Sequence, residues 1–179
     1  METQTDEQLV HALQLGDREA FDALYRRYSE HIYAFCLKLT GAHSLAEDVT
    51  HDTFVSLYRN IDELHDAKRF HSWLFTIARN NIYNQLRHSR RNGFLDVESV
   101  WDDETPFSLV EQADAKEIVS NCIGKLKIEY REVQFLREFE QRSYEEIADI
   151  TGTTQSSVKS RLFKARRALA EKLIPYFKE

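Results

Sequence analysis

Six lysines and arginines fall between Gln155 and Leu173 (Lys159, Arg161, Lys164, Arg166, Arg167 and Lys172), against one acid, Glu171. Cations at that density do non-covalent chemistry: they neutralise phosphates, and arginine also donates in pairs to base edges. A second basic run, 79–91, holds Arg79, Arg87, Arg90 and Arg91 and no acid. It follows Trp73 and interleaves the arginines with Asn80, Asn81, Tyr83 and Asn84. Aromatics, amides and arginines on one surface suit stacking on unpaired bases, although packing alone accounts for Trp73 equally well. The candidate for hydrolytic chemistry is the His51-Asp52 pair, which with His31, His43 or Asp96 would suggest a metal-dependent phosphohydrolase. The spacing of the other histidines fits no ligand set, and a surface carboxylate is the simpler account of Asp52.

The elements that position the first cluster are legible. In QRSYEEIADITGTTQSSVKSRLFKARRALAEKL, Ser143 and Glu146 form an S-x-x-E capping box that starts a short helix with Tyr144, Ile147 and Ala148 on its apolar face. Gly152 permits the sharp turn, and Thr153 or Thr154 caps the next helix. At about 100° per residue, Val158, Leu162, Ala165, Leu169 and Leu173 fall within a stripe of roughly 80° and pack inward. Ser156, Lys159, Ser160, Phe163, Lys164 and Arg167 fall opposite, with Arg161 and Arg166 on the flanks. This is the outline of a helix-turn-helix whose second helix enters a DNA major groove. The plain alternative is a solvated basic helix of an ordinary bundle.

Composition bounds the rest. The chain has 179 residues, two prolines, five glycines and 42% hydrophobic residues, which points to an all-α protein. No apolar run approaches the roughly 20 residues needed to span a bilayer, and the polar start METQTDEQ lacks a signal-peptide core, so a cytoplasmic protein without membrane insertion is expected. Cys36 and Cys122 lie in apolar helical contexts and read as buried thiols. The formal net charge of −6 argues against a general nucleic-acid binder, but residues 93–111 concentrate six acids and no lysine or arginine between the two basic runs.

Taken in order, Thr5 and Gln8 cap a helix through about Leu15 with Leu9, Val10 and Leu13 inward. Phe21, Leu24, Tyr25, Tyr28, Ile32, Phe35, Cys36 and Leu39 recur at three- and four-residue steps up to Gly41. Ser44 and Glu47 read as a second capping box, opening a helix of about 45–60 with Ala46, Val49, Thr53, Leu57 and Phe54 inward and Glu47, Asp48, His51 and Asp52 outward. A further helix spans about 71–88, with Trp73, Leu74, Ile77, Ala78, Ile82 and Leu86 inward. Two helical patterns, 112–126 and 130–139, form the base of the helix-turn-helix.

At this point the residues carry a resemblance. LAEDVTHDTFVSLYRNID and FHSWLFTIARNNIYNQLRHSRR look like region 2 of bacterial sigma-70 family sigma factors, and YREVQFLREFEQRSYEEIADITGTTQSSVKSRLFKARRAL looks like region 4. Two regions and one short linker resemble the extracytoplasmic-function (ECF, group IV) class. The resemblance implies two small helical domains, 1–92 and 112–179, joined by a flexible acidic linker, 93–111. It implies a promoter-recognition subunit with no cofactor, metal or catalytic residue. Its partners would be promoter DNA, core RNA polymerase (the β′ clamp coiled coil and the β flap) and an anti-sigma factor.

By the same resemblance, Glu47, Asp48, His51, Asp52, Phe54 and Leu57 would meet the polymerase clamp. Trp73, Asn80, Asn81, Tyr83, Asn84 and Arg87, with Arg90 and Arg91 toward phosphate, would open and read the minus-10 element. Lys159, Ser160, Arg161, Phe163 and Lys164, with Arg166 and Arg167 toward phosphate, would read the minus-35 element. Where the family often has Gln this chain has His51, and where it commonly has Asp this chain has Asn84. A stand-alone helix-turn-helix regulator shares the C-terminal half but leaves the arginines at 79–91 and the acidic strip without a role.

Overall fold

A computed structural model describes residues 4–91 and 115–177; the acidic segment 93–111 and the Arg90 side chain lie outside the described residues. Every element among the described residues is helical. The N-terminal unit contains α1 (Asp6–Gln14), α2 (Arg18–Thr40), α3 (His43–Asn60), two 3-10 turns (Ile61–Glu63 and Ala67–Arg69) and α4 (Phe70–Arg91). The C-terminal unit contains α5 (Ala115–Gly124), α6 (Ile128–Gln134), a π-turn (Phe135–Phe139), α7 (Tyr144–Thr151) and α8 (Gln155–Phe177).

Local signals set most of the boundaries. Thr5 caps α1 with a reciprocal capping box to Gln8, and Leu9, Val10 and Leu13 are buried. Asp17 caps α2 by accepting from the Glu19 amide at 2.9 Å. Gly41 ends α2 with φ 71°, a left-handed conformation in which glycine escapes the Cβ clash. The second capping box does not form. Helix α3 begins earlier, at His43, and the Ala46 amide already bonds the Ala42 carbonyl at 2.9 Å. Ser44 therefore sits inside the first turn, and no side chain caps this end. His43 instead shares a 2.7 Å hydrogen bond with the Tyr33 hydroxyl, which ties the start of α3 to α2.

Helices α2, α3 and α4 pack around Leu24, Ile32, Phe35, Leu39, Val49, Leu57, Leu74, Ala78 and Ile82, all fully buried. Each large apolar side chain so removed from water contributes about 1.5–3 kcal/mol. Helix α1 is held at one end by Gln14, whose amide donates to the Ile61 and Leu64 carbonyls at 3.1 and 2.9 Å. Some expected inward positions differ. Tyr25 is exposed at 45%, and Trp73 and Ile77 are half-buried; Phe139, at the end of the 130–139 pattern, is exposed at 61%. Phe70 and Phe75, both fully buried, take the core positions on α4 that periodicity alone had given to Trp73 and Ile77.

The two units do not stand apart. Their buried side chains form one continuous core that runs from α2 and α4 into Val133, Phe135, Leu136, Ile147 and Ile150. Phe35 of α2 lies against Phe75 (centroids 5.2 Å apart) on one side and Phe135 of the π-turn (5.5 Å) on the other. Helix α7 packs along α4, and α6 along α2.

Candidate nucleic-acid and polymerase interface

The helix-turn-helix is built as its sequence requires. Ser143 Oγ accepts from the Glu146 amide at 3.1 Å, and Glu146 Oε2 accepts from the Ser143 amide at 2.8 Å. Burial works to raise the Glu146 carboxyl, but these bonds and Arg142 outweigh it and hold it below the usual carboxylate range. Gly152 turns the chain at φ 63°, and the Thr153 amide closes back on the Ala148 carbonyl at 3.0 Å. Thr154 then caps α8 by accepting from the Ser157 amide at 3.2 Å. Val158, Leu162 and Ala165 are buried against α6 and α7 and fix the rotation of α8, while Leu169 and Leu173 are half-buried.

That rotation sends Ser156, Lys159, Ser160, Phe163, Lys164, Arg166 and Arg167 to the exposed side of α8. Phe163 is 69% exposed, an apolar contact suited to a thymine methyl among donors suited to phosphates and base edges. Tyr144 lies between Arg137 and Lys159, whose charges sit 4.9 and 5.4 Å from the ring centre. Arg166 donates to Glu138 at 2.7 Å and Arg167 to Glu171 at 3.1 Å, both on the surface. Arg161 differs from its neighbours: it is half-buried, and its charge acts on Glu132 and Tyr83 inside the molecule.

On α3, Glu47, Asp48, His51 and Asp52 are all exposed and form one acidic face. Phe54 and Leu57 are buried at 3% and 0%, so in this conformation they support that face from beneath rather than present to it. Beside it Phe21, Tyr25, His51, Phe54 and Tyr58 line a cavity of about 470 Å³. Tyr25 and Phe54 meet edge to face at 4.7 Å.

On α4 the expected residues separate into groups. Asn80, Asn84, Arg87 and Arg91 are exposed, and Arg87 donates to the Asn84 side chain. Trp73 is half-buried in a cleft of about 340 Å³ with Arg69, Ser72, Thr76 and Asp149. Asn81 faces α3, where its amide reaches Thr53 Oγ1 at 3.4 Å. Tyr83 turns toward the C-terminal unit: its hydroxyl donates to Glu132 at 3.5 Å and its ring carries Arg79 at 4.5 Å from the centroid. Burial and the Glu132 charge push the Tyr83 hydroxyl up to about 12.

The groups that join the two units went unnoticed in the sequence. Arg79 Nε donates to Glu132 Oε1 at 2.6 Å, with Glu132 fully buried. Burial raises the Glu132 carboxyl, and Arg79 opposes that rise. Glu140 accepts from His31 Nδ1 at 2.9 Å and from His71 Nε2 at 3.1 Å. Burial works to raise Glu140 too, but the two histidine bonds outweigh it and hold the carboxyl below its ordinary range. Arg69 meets Asp149 at 2.8 Å. The available signal was Glu132 itself, a charge adjoining the apolar positions of its own helical pattern. Among the described residues no three His, Cys, Asp or Glu side chains are grouped as a metal requires, so His51-Asp52 finds no ligand set there.

Comparison with known proteins decides the family. Residues 24–92 match the profile of Sigma-70 region 2, and residues 116–169 match Sigma-70, region 4. The chain is 31% identical to the RNA polymerase sigma-H factor of Pseudomonas aeruginosa, over 97% of this chain and 96% of that protein. It is also 31% identical to the ECF RNA polymerase sigma-E factor of Escherichia coli K12, over 96% and 95%. The chain belongs to the ECF class of the sigma-70 family. Among solved structures, the sigma factor RpoE in complex with the anti-sigma factor NepR from Bartonella quintana superposes with a TM-score of 0.72 at 27% identity, covering 86% of this chain and 96% of that one. CnrH in complex with the cytosolic domain of CnrY shares the fold, with a TM-score of 0.65 at 23% identity over 97% and 99%.

The matched segments locate the elements of this sigma factor. Region 2 takes in most of α2 and all of α3 and α4, and region 4 runs from α5 into α8. Helix α1 precedes the region 2 match yet packs on α2 and shares its core. No helix among the described residues is long and apolar enough to cross a membrane.

Proposed function

We infer that this chain binds core RNA polymerase and directs promoter-specific initiation, acting in the cytoplasm where polymerase works. It makes and breaks no bond; the polymerase does the chemistry. The observation that carries the reading is the pairing, in one chain, of an exposed basic recognition face on α8 with an exposed acidic face on α3, in segments matched to regions 4 and 2.

In this reading the domains divide as 1–92 and 112–179 around the acidic segment 93–111. Lys159, Ser160, Phe163 and Lys164 enter the minus-35 major groove, with Arg161 at its edge and Arg166 and Arg167 exchanging their surface carboxylates for phosphates. Glu47, Asp48, His51 and Asp52 meet basic groups on the β′ clamp, and region 4 meets the β flap. Trp73, Asn80, Asn84 and Arg87, with Asn81 and Tyr83 after rearrangement, hold the minus-10 strand, and Arg90 and Arg91 take phosphate. Their binding energy offsets an unpairing cost of a few kcal/mol. Solved relatives are described as complexes with anti-sigma factors, and we extend such control to this chain.

The test is transcription in vitro. Purified protein is added to sigma-free bacterial core polymerase with sheared genomic DNA of the source organism, and transcript starts are mapped. Discrete new starts sharing two upstream motifs are the expected result. Absence of such starts with an active core and a folded chain, together with duplex binding in the absence of polymerase, would replace this reading by a stand-alone regulator.

A further inference from the structure

Lys38 lies in the last turn of α2, where the negative end of the helix dipole favours a cation. The dipole does not account for the direction of its side chain. Lys38 reaches across to α5, where Nζ donates to Ser120 Oγ at 2.8 Å. It is half-buried there, and among the described residues no carboxylate forms an ion pair with it. Burial lowers the ammonium from its ordinary value. A cation drawn out of water without an opposite charge is costly, and an anion beside it would offset that cost.

Lys38 and Ser120 line a cavity of about 540 Å³, within the roughly 300–1,000 Å³ of small-ligand sites. Its apolar lining is Ala34 and Leu37 from α2 and Phe135 and Phe139 from the π-turn. The two phenylalanine rings stack, with centroids 5.2 Å apart and planes 15° apart. Phe139 is 61% exposed. Backbone geometry puts it there: the Glu140 amide closes the π-turn on the Phe135 carbonyl at 3.2 Å, and Gln141 follows at φ 52°. The cavity is also polarised. Glu30, which lines it too, precedes Lys38 by two turns of α2, about 12 Å of helix axis. Glu140 lies with His31 in the same lining. A cation and a hydroxyl thus lie together, and acids lie away from them along an apolar surface. None of these residues belongs to the DNA or polymerase faces assigned above.

We propose that this cavity is a binding site for a small organic monoanion, a carboxylate or sulfonate on an aromatic or branched apolar body. The head group meets Lys38 Nζ and Ser120 Oγ, and the body lies against Phe135 and Phe139. A second anionic group at the far end would meet Glu30 and Glu140, so dianions are rejected. The site stands apart from the promoter and polymerase assignments and does not depend on them.

The probes are anilinonaphthalene sulfonate and phenylnaphthylamine, which share the same rings and differ in the sulfonate. Each is titrated by fluorescence into the full chain, native and as Lys38→Gln, Lys38→Arg and Ala34→Trp. Circular dichroism confirms that helix content is kept. The sulfonate is expected to saturate at one molecule per chain and to raise the thermal midpoint as its concentration rises. Lys38→Gln is expected to weaken the sulfonate about tenfold, the usual worth of a charge-assisted hydrogen bond, and to leave the neutral probe unchanged. Lys38→Arg is expected to restore the sulfonate. Ala34→Trp, which fills the cavity from an exposed position on α2, is expected to remove both probes. Equal affinity for the two probes, indifferent to Lys38→Gln, would overturn the proposal. Sulfonate binding that survives Ala34→Trp, or that never saturates, would overturn it as well. So would a chain that light scattering shows to be a dimer and that Ala34→Trp makes a monomer, because the cavity would then hold a second copy.

Discussion

Removing Arg79 is expected to make the stability of this chain steeply dependent on pH. Glu132 is fully buried, and Arg79 Nε, at 2.6 Å, is the cation that faces it most closely. Breaking a buried pair by deleting one member costs about 3–5 kcal/mol, because the remaining charge has no partner. In Arg79→Met the carboxylate has two escapes: it can take up a proton, or the two units can part and let water in. Burial already raises the Glu132 carboxyl above its unfolded value. A raised folded value means that this group's contribution to stability is present below the unfolded value and is lost as pH rises through the folded one. Arg79 pulls the folded value down, so its removal widens that window. The loss in Arg79→Met is therefore expected to be larger at pH 8 than at pH 6. Urea denaturation of the native chain, Arg79→Met, Glu132→Gln and the double variant at both pH values measures this. Glu132→Gln alone is expected to cost less, because Arg79 is 21% exposed and can turn to solvent. The double variant is expected to recover most of the Arg79→Met loss. A loss that is equal at the two pH values, and that Glu132→Gln does not relieve, would refute the reasoning.

Ser143→Ala removes one half of the α7 capping box; a loss of about 1 kcal/mol is expected, seen as a fall of roughly 2–4 °C in thermal denaturation. Lys164→Ala removes an exposed cation from the recognition face; binding to a minus-35 duplex in the holoenzyme is expected to weaken, with the slope of log K against log salt reduced by about 0.9. Asp48→Arg reverses a charge on the acidic face of α3; affinity for core polymerase, read by competition with a labelled sigma factor, is expected to fall while helix content stays unchanged.

Local chemistry was readable because its causes are local. The Thr5 and Ser143 boxes, the left-handed glycines at Gly41 and Gly152 and the inward stripe of α8 each depend on residues a few positions apart. The sequence therefore determined the helix-turn-helix, the outward set from Ser156 to Arg167, the acidic face of Glu47, Asp48, His51 and Asp52, and the family. The failed box at Ser44 shows the limit. A tertiary hydrogen bond, Tyr33 to His43, holds the start of α3, and the helix extends past the residue that would have capped it.

What only the tertiary structure decided is which side chains remain available once the units meet. Periodicity finds an apolar stripe, but it cannot tell a core position from one at the seam between two units, because both are apolar and helical. It gave no means to choose Phe75 over Trp73 for the core, to turn Tyr83 toward Glu132, or to send Phe139 out and Glu140 in. Those outcomes depend on groups far apart in sequence: His31 and Glu140 are 109 positions apart and Arg69 and Asp149 80. Such pairings follow from the shape of the whole core and from the cost of leaving a buried carboxylate without a partner, neither of which a local pattern contains.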